Sequence, residues 1–273
     1  MLSFSSVQTA RPPATTPLIP VDGSWLKPEG RQHSGSVKYR MVYAKLRAAI
    51  AAQHIGAGTV LTEVTSGSTG VALAMLGRSL GLRVVLHAYT SIDPAKRARI
   101  AELDALLLLH DPAQPVSDLL AEVAANVARG GHWHLNQYDR RSTRLAWHEM
   151  AGEIVRQVRA AGAPPPRVFP CPVGTGGLIQ GVGSVLRREF PGIRVVAVEP
   201  EPGAAIDGMR NTAEHFMGRS DPYDPAFPDE RIVVPAPRER ATVDGERLGW
   251  SATAVVELAR ARGWRDAVIV APD

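Results

Sequence analysis

Residues 60–70 read VLTEVTSGSTG and predict a strand that runs directly into a helix. Val60–Val64 is predicted to be a short strand. Hydroxyl residues and glycines follow, and apolar positions at helical spacing then predict a helix over Thr69–Leu80. Backbone N–H groups at a helix start, joined by hydroxyls, form an anion site. An ordinary Ser/Thr helix cap with turn glycines has the same pattern, so both interpretations stay open at this point.

The same alternation of strands and helices extends to both sides of this stretch. Further strands are predicted over Arg83–Tyr89, Ala105–Leu109, part of Gly131–Gln137, Val168–Val173, Arg194–Val198 and Ala267–Val270. Further helices are predicted over Met41–Ile55, Pro94–Leu103 with Asp93 as N-cap, Val116–Ala128, one long helix from about Ser142 to Arg159, Leu178–Arg188 and Ala252–Arg262. Such alternation predicts an α/β fold with a mostly parallel sheet covered on both faces. Residues 201–230 show no period and are expected to be an irregular excursion.

The composition bounds the class of protein. The chain has 273 residues, 45% hydrophobic and 21% charged, which suits one large or two modest globular domains. The net charge is +4 and the basic residues are scattered, so no nucleic-acid partner is expected. A single cysteine, Cys171, excludes an internal disulfide and a cysteine-based zinc site. No apolar stretch approaches the roughly 20 residues that span a bilayer, and residues 1–16 do not resemble a secretory signal, so we expect a cytoplasmic protein without membrane contact.

A lysine motif precedes the quoted stretch: residues 34–40 read SGSVKYR, with Lys38 as the lysine. A lysine amine can form a Schiff base with an aldehyde cofactor. A solvated lysine at the start of a helix is the alternative. His132 and His134 alternate on one predicted strand, and because metal binding needs more ligands than these, we predict packing or surface roles and no metal site.

Two further motifs lie between a strand and a helix. Residues 174–177 read GTGG, and glycines let a backbone approach a phosphate closely while a helix dipole favours its charge. The pattern fits neither the P-loop nor Gly-x-Gly-x-x-Gly. Residues 249–253 read GWSAT, in which Ser251 is either a helix N-cap or a hydroxyl that meets a cofactor's ring nitrogen.

Taken together and in this order, the motifs resemble those of the cysteine synthase and cystathionine β-synthase group of fold-type II enzymes, which use pyridoxal 5′-phosphate (PLP). The resemblance covers the chain from about residue 15 to its last residue. The matching segments are Thr16-Pro17-Leu18, the Lys38 motif, residues 65–70, Asn136-Gln137-Tyr138, residues 174–177, Val198-Glu199-Pro200 and the Ser251 turn.

The resemblance implies a tryptophan synthase β-like fold with two three-layer α/β/α domains and the cofactor in the cleft. Residues 1–39 and 138–273 would form the larger, PLP-binding domain. Residues 40–137 would form the smaller, mobile substrate domain, whose loop closes on the substrate. The family habit is a homodimer.

The resemblance also implies roles for individual residues. Lys38 matches the lysine that forms the Schiff base and later takes the substrate Cα proton, and Ser251 matches the hydroxyl at the pyridine nitrogen. The phosphate cradle matches Gly174, Thr175, Gly176 and Gly177, closed by the backbone of Leu178. The substrate carboxylate site matches Thr65, Ser66, Gly67, Thr69 and Gln137, with Ser68 beside the cofactor's O3′.

The implied reaction is β-replacement on an O-activated serine, O-acetylserine or O-phosphoserine, through an aminoacrylate, as in amino-acid biosynthesis by cysteine synthases. A serine does not hold a proton on the ring nitrogen, so the electron sink is expected to be moderate. The nearer alternative is a serine/threonine dehydratase or another β-eliminating lyase. An alternative of another class is a PLP-binding, non-catalytic paralogue that acts as a partner protein.

Several positions depart from the family pattern. Ser68 stands where the family has asparagine, and Tyr39 where it has aspartate. His33 replaces proline, Leu178 replaces threonine and Thr253 replaces glycine. Residues 211–229 also lack the glycine-rich stretch that helps to form the sulfide site of cysteine synthases. These departures indicate a changed substrate or nucleophile.

Overall fold

The computed structural model describes residues 10–214 and 223–273. The described chain divides into two units, one of residues 10–13 and 38–137 and the other of residues 14–37 and 138–273. We call them unit 1 and unit 2. Each has a parallel sheet flanked by helices, so the α/β class predicted from the sequence is confirmed.

The sheet of unit 1 consists of parallel strands whose carboxyl ends meet at one edge. Its strands are β3 (Val60–Val64), β4 (Val84–Tyr89), β5 (Leu106–His110) and β6 (His132–His134). Their order is β5-β4-β3-β6. Strand β3 pairs on both sides and all of its residues are buried, including the polar Thr62 and Glu63. Its bounds are those predicted from the sequence, and the other strands differ from their predicted bounds only at the ends.

The helices of unit 1 are α1 (Lys38–Ala51), α2 (Ser68–Ser79), α3 (Pro94–Glu102) and α4 (Val116–Ala128). The predicted N-cap of α3 is confirmed, because the Asp93 carboxylate accepts a hydrogen bond from the Lys96 backbone N–H at 2.9 Å. Helix α1 begins three residues earlier than predicted. Lys38 is therefore the first residue of α1.

The sheet of unit 2 has two parts joined by a parallel bridge between Val168 and Ala267. One part consists of parallel strands β7 (Val168–Pro172), β8 (Arg194–Pro200) and β9 (Glu230–Val234). The other consists of β1 (Ile19–Val21), β2 (Ser24–Pro28) and β12 (Val268–Ala271), with β12 parallel and β1 antiparallel to β2. A short hairpin, β10 (Thr242–Val243) and β11 (Glu246–Arg247), turns at Asp244-Gly245, both with positive φ.

The helices of unit 2 correct one prediction. They are α5 (Arg140–Ala146), α6 (His148–Ala160), α7 (Gly177–Glu189) and α8 (Trp250–Ala261). The single helix predicted over Ser142–Arg159 is wrong, because the chain breaks at Trp147 between α5 and α6. A Cβ added to Gly181 of α7 would lie 2.6 Å from the Arg144 carbonyl oxygen and 2.7 Å from Trp147 Cβ, so α7 packs closely against the break. Among the described residues, no helix is both long and apolar enough to cross a membrane.

A buried lysine ties the start of unit 2 to α6. Lys27 is fully buried and forms an ion pair with Glu153. Its Nζ also donates to the Thr16 backbone oxygen at 2.6 Å and to Gln157 Oε1 at 2.8 Å. Three acceptors match the three protons of an ammonium group, which is the condition for burying such a charge. Lys27 is thereby fixed in a structural role.

The irregular excursion predicted over residues 201–230 agrees with the described part, in which no helix or strand lies between Pro200 and Glu230. Residues 215–222, which belong to the stretch in which the glycine-rich pattern is missing, lie outside the described residues.

Candidate active site

The glycine turn at residues 174–177 joins β7 to α7. Gly176 is the N-cap residue of α7 and has a φ of +82°, in the left-handed region that suits glycine. No side chain of the described residues caps this helix end. The first backbone N–H groups of α7, near Leu178, therefore have no side-chain acceptor, and the helix dipole favours an anion beside them. Thr175 is half-buried within the turn.

The glycines of this turn are also required by packing. A Cβ added to Gly174 would lie 2.7 Å from the carbonyl oxygen of Gly208. A Cβ added to Gly176 would lie 2.3 Å from Tyr223 Cβ. Both distances are far below van der Waals contact, so the protein closes one side of the turn and larger residues do not fit there.

Arg210, in the irregular segment after β8, is hydrogen-bonded to the glycine turn. Its Nε donates to the Gly174 carbonyl oxygen at 2.6 Å, and its backbone N–H donates to the Val173 oxygen at 2.8 Å. Gly208 lies beside the same turn, with a φ of +80°. Sequence reasoning missed Arg210 and Gly208, because both belong to a stretch without periodicity. The one signal that the sequence offered is that Gly208 and Arg210 follow soon after the predicted strand that became β8.

Ser251 is the second residue of α8 and is 2% exposed. The N-cap residue of α8 is Gly249, so the alternative that Ser251 is the helix cap is wrong. The Ser251 hydroxyl donates a hydrogen bond to Asp273 Oδ1 at 3.0 Å. A Cβ added to Gly208 would lie 3.8 Å from Ser251 Oγ, so this hydroxyl and the glycine turn belong to one part of unit 2.

In unit 1, the loop at residues 65–70 follows β3 and opens α2. Thr65 is buried, and its backbone N–H donates to the His87 carbonyl oxygen at 2.8 Å. Its Oγ1 accepts hydrogen bonds from the backbone N–H groups of Gly67 and Gly70, each at 3.0 Å. A hydroxyl has two acceptor sites and one proton, so this pattern leaves the Thr65 proton to donate elsewhere.

Thr69 and Gln137 are brought together by side-chain hydrogen bonds. Thr69 Oγ1 donates to Gln137 Oε1 at 2.9 Å, and Gln137 Nε2 donates to the Val64 carbonyl oxygen at 2.8 Å. The Gln137 backbone N–H donates to Oε2 of the buried Glu63 at 3.0 Å. Three connections thus hold Gln137 against β3 and the start of α2.

The other predicted loop residues differ in exposure. Ser66 is exposed, whereas Ser68 is half-buried as the first residue of α2. Gly67 is the N-cap residue with a φ of +136°, and a glycine supplies no capping side chain; instead, Thr65 Oγ1 accepts the backbone N–H of Gly70, the third residue of α2. A Cβ added to Gly67 would lie 2.5 Å from Lys96 Cδ, so the lysine stem packs over the turn. Both helices begin at a glycine N-cap, but the start of α2 is partly capped by Thr65, whereas the start of α7 has no side-chain cap.

Lys38 is half-buried at the start of α1. The sequence has three other lysines, Lys27, Lys45 and Lys96. Lys27 is held in the buried ion pair of unit 2, and Lys45 Nζ donates to the Asn136 carbonyl oxygen at 2.7 Å. Lys27 and Lys45 are therefore held in buried structural contacts, and neither belongs to the motif that predicts Schiff-base chemistry at Lys38.

Tyr39, which departs from the family's aspartate, is buried beside Lys38 in the chain. Its hydroxyl donates to the Arg11 carbonyl oxygen at 2.6 Å. Burial raises the pKa of Tyr39 to about 12, with a smaller contribution from Tyr43. The residue is therefore neutral and acts as a hydrogen-bond donor, not as a charge next to the lysine.

The family model described as "Pyridoxal-phosphate dependent enzyme" matches residues 10–273, nearly the whole chain. The chain belongs to this family of enzymes. The group named from the sequence motifs is thereby confirmed, and so is the PLP cofactor.

Curated relatives refine this assignment to a cysteine synthase-like enzyme. Cysteine synthase B of Salmonella typhimurium is 32% identical over 213 residues, which cover 74% of this chain and 68% of the relative. The cysteine synthase of Aquifex aeolicus is 30% identical over 260 residues, covering 86% of this chain and 75% of that one.

Solved structures agree on the fold. O-ureido-L-serine synthase superposes with a TM-score of 0.83 at 24% identity, covering 98% of this chain and 90% of that one. O-acetylserine dependent cystathionine β-synthase from Helicobacter pylori superposes with a TM-score of 0.81 at 21% identity, covering 100% and 96%. The fold-type II architecture implied by the sequence motifs is confirmed.

The residues of this PLP enzyme fit a phosphorylated cofactor. The uncapped glycine start of α7 offers backbone N–H groups to a phosphate. The Ser36 hydroxyl, two residues before Lys38, is buried and has no hydrogen-bond partner among the described residues. An unpaired buried hydroxyl is costly, and such a group is expected where a ligand supplies the partner.

Proposed function

We propose that this enzyme replaces the leaving group on Cβ of an O-activated L-serine, O-acetylserine or O-phosphoserine, with an external nucleophile. The observation that carries the proposal is the braced loop at residues 65–70, in which Thr65 keeps a hydroxyl proton to donate and α2 begins at a glycine N-cap, an arrangement that suits an anionic group such as a carboxylate. The 30–32% identity to cysteine synthases supports the same reaction class in amino-acid biosynthesis.

Lys38 would hold PLP covalently through Nζ, and the glycine turn with the N–H groups of α7 would bind its phosphate. The bound cofactor supplies the electron sink that lets a Cα proton and a Cβ leaving group depart. Lys38 Nζ, once released by the incoming amine, would take the Cα proton. Geometry sets its efficiency first and its pKa second.

The residues matched to the carboxylate site would have two roles: some would donate hydrogen bonds to the substrate, and others would hold the loop in shape. Because both acceptor sites of Thr65 Oγ1 are filled, its proton would go to the substrate carboxylate together with the first N–H groups of α2. Thr69 already donates its proton to Gln137, so these two residues would hold the loop in shape. Ser66, the exposed member, would close on the carboxylate when substrate binds.

The experiment incubates purified holoenzyme with O-acetylserine or O-phosphoserine. Each donor is tested alone and together with a nucleophile: sulfide, a small thiol or an amine. We expect a β-substituted amino acid in amounts equal to the leaving group released. Lys38→Arg keeps the positive charge but is expected to abolish turnover, because a guanidinium does not form the Schiff base. Pyruvate formed at a rate that nucleophiles do not change would favour a β-eliminating lyase instead. Consumption of neither serine derivative would overturn the proposal.

We also propose the homodimer that the resemblance implies. Light scattering after size-exclusion chromatography checks it directly: twice the 29.3 kDa chain mass is expected, and a monomer mass would contradict it.

A further inference from the structure

A buried hydrogen-bond donor lies beside the start of α7. Trp147, the residue at the break between α5 and α6, is 1% exposed. Its indole Nε1 is buried and has no hydrogen-bond partner among the described residues. An indole N–H can only donate, and buried polar groups are nearly always paired. The unpaired N–H of Trp147 therefore indicates a place where a ligand supplies the acceptor.

Two glycines of α7 show where this N–H lies. Gly177 and Gly181 share a face of the helix one turn apart, and Gly177 is about 6 Å nearer to its N-terminus. A Cβ added to Gly181 would lie 2.7 Å from Trp147 Cβ and 2.9 Å from its Cδ1. A Cβ added to Gly177 would lie 3.2 Å from Trp147 Nε1. The indole edge from Cδ1 to Nε1 therefore runs toward the N-terminus of α7, and the N–H lies level with its first turn.

Close packing holds the indole in this orientation. A Cβ added to Gly177 would lie 2.4 Å from Thr143 Cγ2, and one added to Gly181 would lie 2.6 Å from the Arg144 carbonyl oxygen. The two glycines thus form a groove on α7 that receives the end of α5 together with the indole. Because protein interiors are densely packed, the ring has no room to turn its N–H away from the helix start.

The first turn of α7 is also where the structure favours an anion. Its N-cap residue is Gly176, no side chain of the described residues caps it, and its first backbone N–H groups carry the positive end of the helix dipole. A phosphate offers three strong acceptor oxygens, so it can take bonds from a side-chain donor as well as from the backbone. The uncapped helix start and the unpaired indole donor are separate observations that indicate the same ligand chemistry.

We propose that Trp147 binds the phosphate of the PLP cofactor by donating a hydrogen bond from Nε1, beside the backbone N–H groups of α7. The inference rests on the proposed function, which places the phosphate at the glycine turn. It adds a phosphate donor that lies outside the glycine motif, in the segment between α5 and α6. The donor is neutral and fixed by packing, so it selects for the phosphate by position and not by charge.

The experiment measures the dissociation constants of PLP and of pyridoxal, which lacks the phosphate, on enzyme from which the bound cofactor has been removed. The preference for PLP over pyridoxal isolates the contribution of the phosphate. Trp147→Phe keeps an aromatic ring without the N–H and is expected to reduce this preference about tenfold or more, the scale of a hydrogen bond to a charged group. Trp133→Phe, at a half-buried tryptophan of unit 1, is the matched control and is expected to keep the preference.

The two ligands separate a binding role from a structural one. If Trp147→Phe weakens PLP and pyridoxal equally, Trp147 only supports the fold and the inference is overturned. An unchanged preference for PLP in Trp147→Phe would overturn it as well. A wild-type enzyme that does not prefer PLP over pyridoxal would instead overturn the proposed placement of the phosphate, and this inference with it.

Proton NMR of the wild-type enzyme keeps the inference testable if Trp147→Phe folds poorly. The chain has five tryptophans, and one indole N–H resonance is expected to move downfield with PLP bound but not with pyridoxal bound. Phenylalanine variants of the other four tryptophans are expected to retain that resonance, which assigns it to Trp147. Indole resonances that respond alike to PLP and pyridoxal would contradict the inference.

Discussion

Thr69 Oγ1 donates a 2.9 Å hydrogen bond to Gln137 Oε1. The bond joins the start of α2 to a residue 68 positions later in the chain. The bond is buried at both ends, with Thr69 3% and Gln137 4% exposed. This side-chain bond therefore fixes the shape of the loop on which substrate binding is proposed to depend.

Removing the brace is expected to weaken substrate binding more than cofactor binding. Thr69→Val leaves Gln137 Oε1 buried without its donor, which costs about 1–3 kcal/mol of folding free energy. The loosened loop is expected to raise KM for the amino-acid donor about tenfold, equivalent to about 1.4 kcal/mol. Thr69→Ser keeps the hydroxyl and is the control, expected to behave close to wild type. An unchanged KM in Thr69→Val, measured with PLP absorbance intact, would show that the brace is not needed.

Packing at the glycine turn can be tested with Gly176→Ala, for which Gly192→Ala is the matched control. Gly176→Ala is expected to suffer both left-handed backbone strain, about 1–2 kcal/mol, and a clash with Tyr223, where the new Cβ would lie 2.3 Å away. Gly192→Ala has a similar φ of +89° but nothing within 4 Å of its Cβ, so it reports the strain alone. We expect Gly176→Ala to lose more thermal stability and to retain less PLP after dialysis. Equal losses in the two variants would contradict the packing argument.

Stability is expected to fall on the acidic side because of buried histidines. Burial lowers the pKa of His87 from its usual 6.5, with His110 and His134 acting in the same direction against Glu122. The unfolded chain then binds protons near pH 6.5 before the folded one does, so the unfolding free energy is fully present above pH 6.5 and declines as the pH falls toward the lower folded value.

Melting temperatures between about pH 8 and about pH 5.5 check this expectation. His87→Gln is expected to flatten the decline, although burial also lowers the pKa of His148, so part of the slope stays. His54→Gln, at an exposed position, serves as the control. A slope that His87→Gln leaves as steep as in wild type would assign the acid sensitivity to other groups.

Local pattern was sufficient for much of the fold. Val60–Val64 and Val116–Ala128 have the bounds predicted from the sequence, because a buried strand and an amphipathic helix each carry their own period. The break at Trp147 could not be predicted, since no proline or glycine marks it. Gly181 of α7 packs closely against it, a contact between segments that α6 and β7 separate in the chain.

Some residues of the candidate site could likewise be predicted from local sequence, and others could not. Glycines and hydroxyls in turns between strands and helices have local signatures, so residues 65–70 and 174–177 could be named from the sequence. Arg210 and Trp147 could not, because their roles depend on which distant backbone atoms lie beside them. Trp147 in particular carries no motif of its own, and only its contacts with Gly177 and Gly181 connect it with the site.

The most direct test of the account is to find which lysine carries the cofactor. Borohydride reduction of the holoenzyme fixes a Schiff base irreversibly, and peptide mass mapping then locates the added phosphopyridoxyl group. The account predicts this group on Lys38 and its loss in Lys38→Arg. Its presence on Lys27, Lys45 or Lys96, or on no lysine at all, would contradict the central claim.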